Sequence, residues 1–392
     1  MTTGLEAQKE AVRQRVVTSG DTLVALSHRI HSHPELSFRE INASTWCADA
    51  LEAGGFDVTR HVADIETAFV AAVGTGDLSL AICCEYDALP DVGHACGHNI
   101  IAAAAVGAGL SLATLADELG VTIKVLGTPA EEGGGGKILM LHRGVFDGLH
   151  AAMMVHPWPS ELIQMPCLAV AHFDVTVEGV EAHASAFPEL GRNAADALTV
   201  AQVAIGLLRQ HSYATDQVHG IITYGGAAPN IVPARAEAKY YVRSATLARL
   251  AEWEPRIRDC FEAGALATGT SVRFDVQSPA YSEFRVDEAI AERYKQNAEG
   301  LGRVFAPPTD RVVAASTDMA NVSLAMPAIH PTLDIGSLPA VNHQASFAAA
   351  CVSGVADKAL LDGATAMAQT IIDLATDDHQ RERLLASVYR HL

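Results

Sequence analysis

The chain has 392 residues, a formal net charge of −19 and 49% hydrophobic residues. So much apolar material excludes disorder as the main state, and the excess of acidic side chains argues against a nucleic-acid partner, whose phosphates would need neutralising. The longest uncharged apolar stretch, Ile100–Ala116, is shorter than the roughly 20 residues that a membrane span requires, and the polar N-terminus does not resemble a signal peptide. The short apolar stretch therefore predicts that the protein has no membrane partner. Because the seven cysteines follow no disulfide spacing, we expect a reducing compartment and hence a cytoplasmic protein.

In the first 171 residues, short apolar runs alternate with helical segments. Helical spacing covers the first thirty residues and ends at Pro34. The predicted strands are Thr67–Val73, Leu78–Cys84, Val121–Gly127 and Ala151–Val155, and the predicted helices lie near Thr45–Ala53, Ile100–Leu119 and Lys137–His142. This alternation predicts an α/β fold whose mainly parallel sheet carries helices on both faces. In such a sheet, functional residues gather in the loops at the carboxyl ends of the strands.

The pattern changes at about residue 172. His172–Glu178 alternates apolar and polar residues, as a half-exposed antiparallel strand does. The elements that follow are a helix at Ala194–Leu208, strands at Gly220–Tyr224 and Ala236–Val242, a helix at Leu247–Ala267 and a strand at Ser271–Val276. This βαββαβ order predicts a small α+β domain over residues 172–284, inserted into a larger domain formed by residues 1–171 and 285–392. The α/β pattern resumes at Asp287–Gly300, Val312–Ala315 and Ile329–Ile335 and ends in a long helix.

The segment Gly93–Asn99 holds the densest group of candidate functional side chains. Cys96 and His98 lie two residues apart, and Gly97 between them lets the loop turn so that both side chains face one centre. A thiolate and an imidazole suit borderline cations such as Zn²⁺. Asp87, shortly after the preceding strand, is suited to orient a ligand histidine. The alternative is that Cys96 is an ordinary core residue.

Two adjacent carboxylates, Glu131 and Glu132, follow another apolar strand and precede four glycines. One carboxylate can hold a cation while its neighbour, turned the other way, acts as general base. An exposed acidic turn is the alternative interpretation. The pair Gly136-Lys137 does not belong to a phosphate-binding loop, because Ile138 occupies the position that needs Ser or Thr.

Two histidines complete the candidate set. His156 ends a further apolar strand, and His343 lies near the C-terminus. Because Asp87, Glu131 and His156 follow successive strands, we expect them at one edge of the sheet. Two cations with one shared ligand are suited to hydrolysis, since they activate water and polarise a carbonyl. The residues that could provide such a site are Cys96, His98, Glu132, His156 and His343.

Eight motifs follow one another along nearly the whole chain: HSHPELSFRE, EYDALP, GHACGHN, TPAEEGGGG, MMVHP, AHAS, PNIVPARAEAKYYVRS and NHQASF. In sequence and order they resemble the di-metal aminoacylase and carboxypeptidase family, which includes hippurate hydrolase, N-acyl-amino-acid amidohydrolases and glutamate carboxypeptidases. The resemblance implies a metal-dependent hydrolase that cleaves the amide bond of small N-acyl amino acids or dipeptides with a free carboxylate. It also implies a homodimer formed through the inserted domain, which acts as a lid.

The resemblance further implies two divalent cations per protomer, Zn or Mn in the first place and Co or Ni as alternatives. Cys96 would bridge the two cations. His98 and His156 would bind one of them, and Glu132 and His343 the other.

The resemblance also assigns roles in catalysis. Glu131 would be the general base that takes a proton from the attacking water and returns it to the leaving amine, and Asp87 would support the ligand histidine. In the inserted domain, His183 and Asn230 would stabilise the tetrahedral oxyanion, reaching in from the partner subunit. Arg243 would bind the substrate carboxylate, for which a planar guanidinium is well suited.

Some positions depart from the common amidohydrolase pattern. Asn99 stands where that branch has Asp, and Ser316–Met319 replaces its Gly-Glu-Asp-Phe. These variants, together with His330-Pro331, resemble the p-aminobenzoyl-glutamate hydrolase and β-alanyl-dipeptide dipeptidase branch. Two other functions stay open: a cysteine hydrolase with Cys96 as nucleophile, and a non-catalytic metal- or peptide-binding protein on the same scaffold.

Overall fold

A computed structural model of the chain describes residues 2–307 and 315–391. Cys167–Glu283 forms one compact unit, which we call the inserted unit. The described residues up to Pro166 and from Phe284 onward form the other, which we call the large unit. The element predicted at Val312–Ala315 falls almost entirely outside the described residues.

The first part of the large unit consists of helices separated by short strands. The helices are α1 (Thr2–Thr18), α2 (Gly20–His31), α3 (Ile41–Ala53), α4 (His98–Leu112) and α5 (Gly136–His142). The strands are β1 (Asp57–Arg60), β2 (Phe69–Val73), β3 (Leu78–Cys84), β4 (Val121–Gly127), β5 (Ala151–Met153) and β6 (His156–Trp158). The four predicted strands are therefore confirmed as β2 to β5, whereas β1 and β6 were not predicted.

The helix predicted to reach Leu119 ends at Leu112. The apolar spacing continues to Leu119 because Leu115 and Leu119 are both buried, but the chain there forms turns. The Asp117 carboxylate accepts hydrogen bonds from the backbone N–H and the hydroxyl of Thr75, which holds these turns against the loop before β3. Leu115 and Leu119 are thus buried without a continuous helical ladder of hydrogen bonds, which explains why the sequence pattern overestimated the helix.

The inserted unit has the predicted βαββαβ order. Its elements are β7 (Ala169–Glu178), α6 (Ala194–Leu208), β8 (Gln217–Tyr224), β9 (Arg235–Ser244), α7 (Leu247–Thr268) and β10 (Ser271–Val276). The four strands form an antiparallel sheet in the order β10-β7-β9-β8, so that β8 lies at an edge. Phe173 and Tyr240 on one face of this sheet pack against Trp253 and Phe261 of α7 and form the core of the unit.

The large unit resumes after the insertion. Its further elements are α8 (Glu288–Gly300), α9 (Met319–Ala325), β11 (Ala328–Ile329), β12 (Thr332–Asp334), α10 (Ala345–Ala350), α11 (Gly354–Thr376) and α12 (Asp378–Leu385). The apolar run Ile329–Ile335 is thus not one element, because β11 and β12 are separated at His330-Pro331 and pair with different strands, β5 and β6.

The main sheet of the large unit has the order β1-β2-β4-β3-β5-β11. Neighbours from β4 to β11 run parallel, whereas β1 and β2 pair antiparallel at one end. Along β3, Leu80 and Ile82 pack into the cluster that contains α4 and α11, and Ala81 and Cys83 pack into the opposite cluster with α5 and α9. Helices therefore cover both faces, and the predicted fold class is confirmed.

Helix α4 is the central helix of this core. All but one of its residues are buried, which agrees with its composition of alanine, glycine and isoleucine. Its 15 residues are fewer than the roughly 20 that a bilayer requires. Among the described residues, no helix combines the length and apolar character needed to cross a membrane.

Candidate metal centre

The candidate residues of the large unit lie at the carboxyl edge of the parallel strands. Strands β4, β3 and β5 are direct neighbours, so the segments that follow them start at the same edge. Asp87 follows β3, Glu131 and Glu132 follow β4, and His156 comes shortly after β5. This edge is where open α/β sheets bind ligands.

Gly97 shapes the loop that carries Cys96 and His98. Its φ of +82° lies in the left-handed region, and α4 begins directly after it at His98. A Cβ atom at this position would lie 2.8 Å from the side chain of Pro157 and 3.2 Å from Sγ of Cys351. Both the backbone conformation and the close packing therefore require glycine, which places Cys96 and His98 on the two sides of a sharp turn.

We expect Gly97→Ala to destabilise the protein by about 1–3 kcal/mol from backbone strain, with a further cost from the clash. The free energy of unfolding in denaturant measures this loss. Gly148→Ala is the matched control, because Gly148 has a similar φ of +75° but nothing within 4 Å of its Cβ position. Equal effects of the two substitutions would show that close packing at Gly97 is unimportant.

Cys96 belongs to two groups of potential ligand atoms. The ligand atoms of Cys96, His98 and His156 all lie within 4.8 Å of one another, and so do those of Cys96, Glu132 and His343. Sγ of Cys96 is 3.6 Å from Nε2 of His156 and 3.8 Å from Nε2 of His343. The five residues that the sequence singled out as ligands are thus brought together, with the thiol shared by both groups.

The chemistry of these residues fits divalent cations. His156 donates from Nδ1 to the carbonyl of Pro157 at 2.8 Å, which leaves the Nε2 lone pair directed at Cys96. Nε2 of His98 and Oε1 of Glu132 are buried and have no hydrogen-bond partner among the described residues. Buried polar atoms normally have partners, so these two atoms indicate a binding site for a cation. Sulfur, nitrogen and oxygen donors together suit Zn²⁺ and related ions.

Burial and neighbouring charges shift the pKa values of three candidate ligands. Burial raises the pKa of Cys96 well above its usual range, and the Glu132 carboxylate adds to this effect. Burial also raises the pKa of Glu132 itself. Burial would lower the pKa of His98, but the carboxylates of Glu85 and Asp87 more than offset it and raise the value. A bound divalent cation would favour the thiolate, the carboxylate and the neutral imidazole, reversing all three directions.

Asp87 connects two of these segments. Its Oδ1 lies 3.0 Å from Nδ1 of His98, and its Oδ2 accepts a hydrogen bond from the backbone N–H of Glu132 at 2.9 Å. Burial opposes ionisation of this carboxyl, but His98, the Glu132 N–H and the Lys137 charge together outweigh burial and lower its pKa. Asp87 therefore holds the His98 ring with Nε2 facing the centre.

Glu131 is buried beside its neighbour. Its Oε2 lies 4.0 Å from Nε2 of His98, and Oε1 of Glu132 lies 3.8 Å from the same atom. Burial and then the charge of Glu85 raise the pKa of Glu131 well above the usual value. Ala130 has a positive φ of 60°, an unusual conformation for a residue with a Cβ, and such strain is typical of functional sites.

The three other candidate residues lie in the inserted unit. His183 and Asn230 are exposed and adjacent, since His183 pairs with Ile231 and the Ala184 N–H donates to the Asn230 carbonyl at 3.0 Å. Arg243 lies on β9, is partly buried, and donates from Nε to Nε2 of the His219 imidazole at 3.3 Å. The structure thus brings His183 and Asn230 together, while Arg243 occupies the sheet of the same unit.

The sequence analysis missed three charged residues at the centre: Glu85, Lys137 and Asp318. All three are fully buried, and the ammonium group of Lys137 pairs with both carboxylates. Two signals could have revealed them. Glu85 precedes Asp87 by two positions and so shares its side of an extended chain, and Lys137 opens an otherwise apolar helix.

Comparisons with known proteins show the family of the chain. The model of Peptidase family M20/M25/M40 matches residues 81–373. The chain is 39% identical to the Xaa-Arg dipeptidase of Mus musculus over 94% of this chain and 89% of that protein. It is 30% identical to one of the subunits of the p-aminobenzoyl-glutamate hydrolase of Escherichia coli strain K12, over 94% and 90% of the two chains.

The fold resembles that of the YXEP protein of Bacillus subtilis, described as a dinuclear metal binding peptidase from the M20 family. The TM-score is 0.66 at 21% sequence identity, and the match covers 91% of this chain and 98% of that one. With a family model matched over most of its length, the chain belongs to Peptidase family M20/M25/M40 and is a metal-dependent amide hydrolase.

Proposed function

We propose that this enzyme hydrolyses the amide bond of small N-acyl amino acids or dipeptides that carry a free carboxylate. The observation that carries the proposal is the sharing of Cys96 between two groups of ligand atoms, each within 4.8 Å. The names of two relatives, Xaa-Arg dipeptidase and p-aminobenzoyl-glutamate hydrolase, describe amides whose amine side is an amino acid.

The proposed cofactor is a pair of divalent cations, Zn²⁺ or Mn²⁺ in the first place, with Co²⁺ or Ni²⁺ as alternatives. Cys96 would contact both, with His98 and His156 on one side and Glu132 and His343 on the other. Such cations supply Lewis acidity that activates water and polarises the scissile carbonyl. The dinuclear site named for the YXEP neighbour supports the number two.

Glu131 is the proposed general base. Its carboxylate stands among the ligand groups and takes a proton from the attacking water, then returns that proton to the leaving amine. Asp87 keeps His98 in one orientation through the Nδ1 contact at 3.0 Å. The chain thus divides ligand and proton-transfer roles between two adjacent carboxylates, Glu132 and Glu131.

The inserted unit is proposed to act as a lid that supplies substrate contacts. Arg243 would bind the substrate carboxylate, and His183 with Asn230 would stabilise the tetrahedral oxyanion from the partner subunit. The adjacency of His183 and Asn230 supports a common role for these two residues. The seven free thiols support a cytoplasmic location, since thiols persist in a reducing compartment.

A substrate screen tests the proposal. Protein reconstituted with Zn²⁺ or Mn²⁺ is incubated with N-acetyl, N-benzoyl and p-aminobenzoyl amino acids and with β-alanyl dipeptides, and the released amine is quantified. We expect turnover of at least one class, and loss of that turnover when the substrate's carboxylate is converted to an amide. Equal turnover of the amide derivative would contradict the role given to the carboxylate.

The homodimer is proposed to form through strand β8 and helix α6. Strand β8 is an edge strand, yet Ile221 is 64% and Ile222 45% exposed. On α6, Val203 and Leu207 are 60% and 72% exposed. An edge strand with exposed apolar side chains can pair with a strand of another chain. We therefore propose that β8 of a second copy of the chain packs against it.

Ile221→Lys is expected to weaken this dimer, because a symmetric interface places the two introduced charges near one another. Sedimentation velocity at several protein concentrations should show a shift toward monomer relative to the unmodified chain. Leu266→Lys is the matched control, since Leu266 is 84% exposed on α7 of the same unit but lies outside β8 and α6. A monomeric unmodified protein, or equal effects of both substitutions, would contradict the proposed interface.

A further inference from the structure

Glu85 is a buried carboxylate whose two oxygens face different groups. Its Oε2 forms an ion pair with the ammonium group of Lys137. Its Oε1 lies 3.1 Å from Nε2 of His98 on the opposite side. None of these three side chains is exposed.

Only one of the two oxygens is satisfied within the part of the chain that the structure describes. Oε1 of Glu85 has no hydrogen-bond partner there, and neither has Nε2 of His98, the atom that it faces. An ion pair serving stability alone would be expected to satisfy both oxygens, because a bare buried carboxylate oxygen is costly. One ligand atom each of Glu85, His98 and Glu131 lies within 4.8 Å of the other two. Nε2 of His98 is 3.1 Å from Oε1 of Glu85 and 4.0 Å from Oε2 of Glu131.

Lys137 and Asp318 fix the position of Glu85. The Lys137 ammonium donates to Oδ1 of Asp318 at 2.8 Å, and the Lys137 backbone N–H donates to Oδ2 at 2.8 Å. Asp318 therefore binds Lys137 through both its backbone and its side chain. Glu85 is therefore bound by Lys137 through Oε2, and its Oε1 faces Nε2 of His98.

We propose that Glu85 is a further carboxylate of the metal centre, with its Oε1 facing the cation held by His98. Lys137 and Asp318 are positioning residues that act through Glu85. The inference rests on the proposed function, because it requires that His98 hold a cation.

The test measures cation binding rather than turnover. Protein freed of metal by a chelator is titrated with Zn²⁺ in competition with a chromophoric chelator, and with Co²⁺ while the thiolate-to-metal absorption of Cys96 is recorded. We expect Glu85→Gln to weaken the binding of one of the two cations by at least about 10- to 100-fold, the loss found when a carboxylate that only supports a ligand is removed. Glu85→Asp keeps the charge on a side chain that is one methylene shorter. Its cation affinity should lie between those of the unmodified protein and Glu85→Gln.

Glu161→Gln is the matched control. Like Glu85, Glu161 is a buried glutamate paired with a basic residue, in its case Arg303. Among the described residues, the three groups of potential ligand atoms do not include Glu161. Its variant should bind both cations as the unmodified protein does, even if its free energy of unfolding is lower. Unchanged cation affinity in both Glu85 variants would overturn the inference. An unmodified protein that binds no divalent cation would instead overturn the proposed function, and this inference with it.

Discussion

Replacing Glu131 by glutamine is expected to lower kcat by about 10²- to 10⁴-fold while both cations stay bound. Glutamine has the shape of glutamate but cannot accept the proton of the attacking water. Glu131 belongs to neither group of ligand atoms that contains Cys96, and glutamine keeps a side-chain oxygen in the third group, which Glu131 forms with Glu85 and His98. Steady-state kinetics, together with elemental analysis of the metal content, measure the two effects separately.

The neighbouring carboxylate provides the control. Glu132→Gln is the same chemical change one position away, at similar burial, since the side chains of Glu131 and Glu132 are 8% and 11% exposed. It should lower the affinity for one cation, because Glu132 groups with Cys96 and His343. If Glu131→Gln lost metal and Glu132→Gln did not, the two roles would have to be exchanged. Near-normal turnover by Glu131→Gln would contradict the mechanism.

Removing divalent cations should abolish turnover. The transition-state stabilisation expected from the metal is several kcal/mol, which corresponds to a loss of about 10³-fold or more. Activity is measured after dialysis against a chelator and again after Zn²⁺ or Mn²⁺ is returned, with recovery showing that the protein stayed folded. Dialysis without chelator is the control.

The same experiment separates the alternative functions. A cysteine hydrolase using Cys96 would keep its activity in the chelator, because its nucleophile needs no metal. A non-catalytic binding protein would take up cations and show no turnover of any substrate in the screen.

The central strands β3 and β4 of the main sheet could be predicted well because they are long, apolar and largely buried. Leu78–Cys84 and Val121–Gly127 were predicted with the bounds that the structure has. Short elements were harder, since β6 (His156–Trp158) contains a histidine and a proline and has no apolar run. The break at His330-Pro331 likewise arises because β11 pairs with β5 and β12 with β6. The residues of this one segment do not reveal these pairings.

The candidate ligands could be predicted from residue type and position because parallel strands end at a common edge. The sharing of Cys96 could not be derived in this way, since it depends on side-chain distances across three loops. His343 illustrates the limit: its N–H donates to the carbonyl of Ala95 at 2.8 Å, although the two residues are far apart in sequence. Its positive φ of 71° has no signature in the residue type.

By itself, the sequence determined the fold class, the motifs at the strand ends and the chemical character of the site, because hydrophobic periodicity and residue types act locally. Only the tertiary structure decided which charges meet. Lys137 and Asp318 are 181 positions apart, yet they form an ion pair, and Lys137 also pairs with Oε2 of Glu85, whose other oxygen faces His98. A buried charge needs an oppositely charged partner nearby, because an unpaired charge in the core is costly. Which residue becomes that partner depends on how the two segments of the large unit pack together.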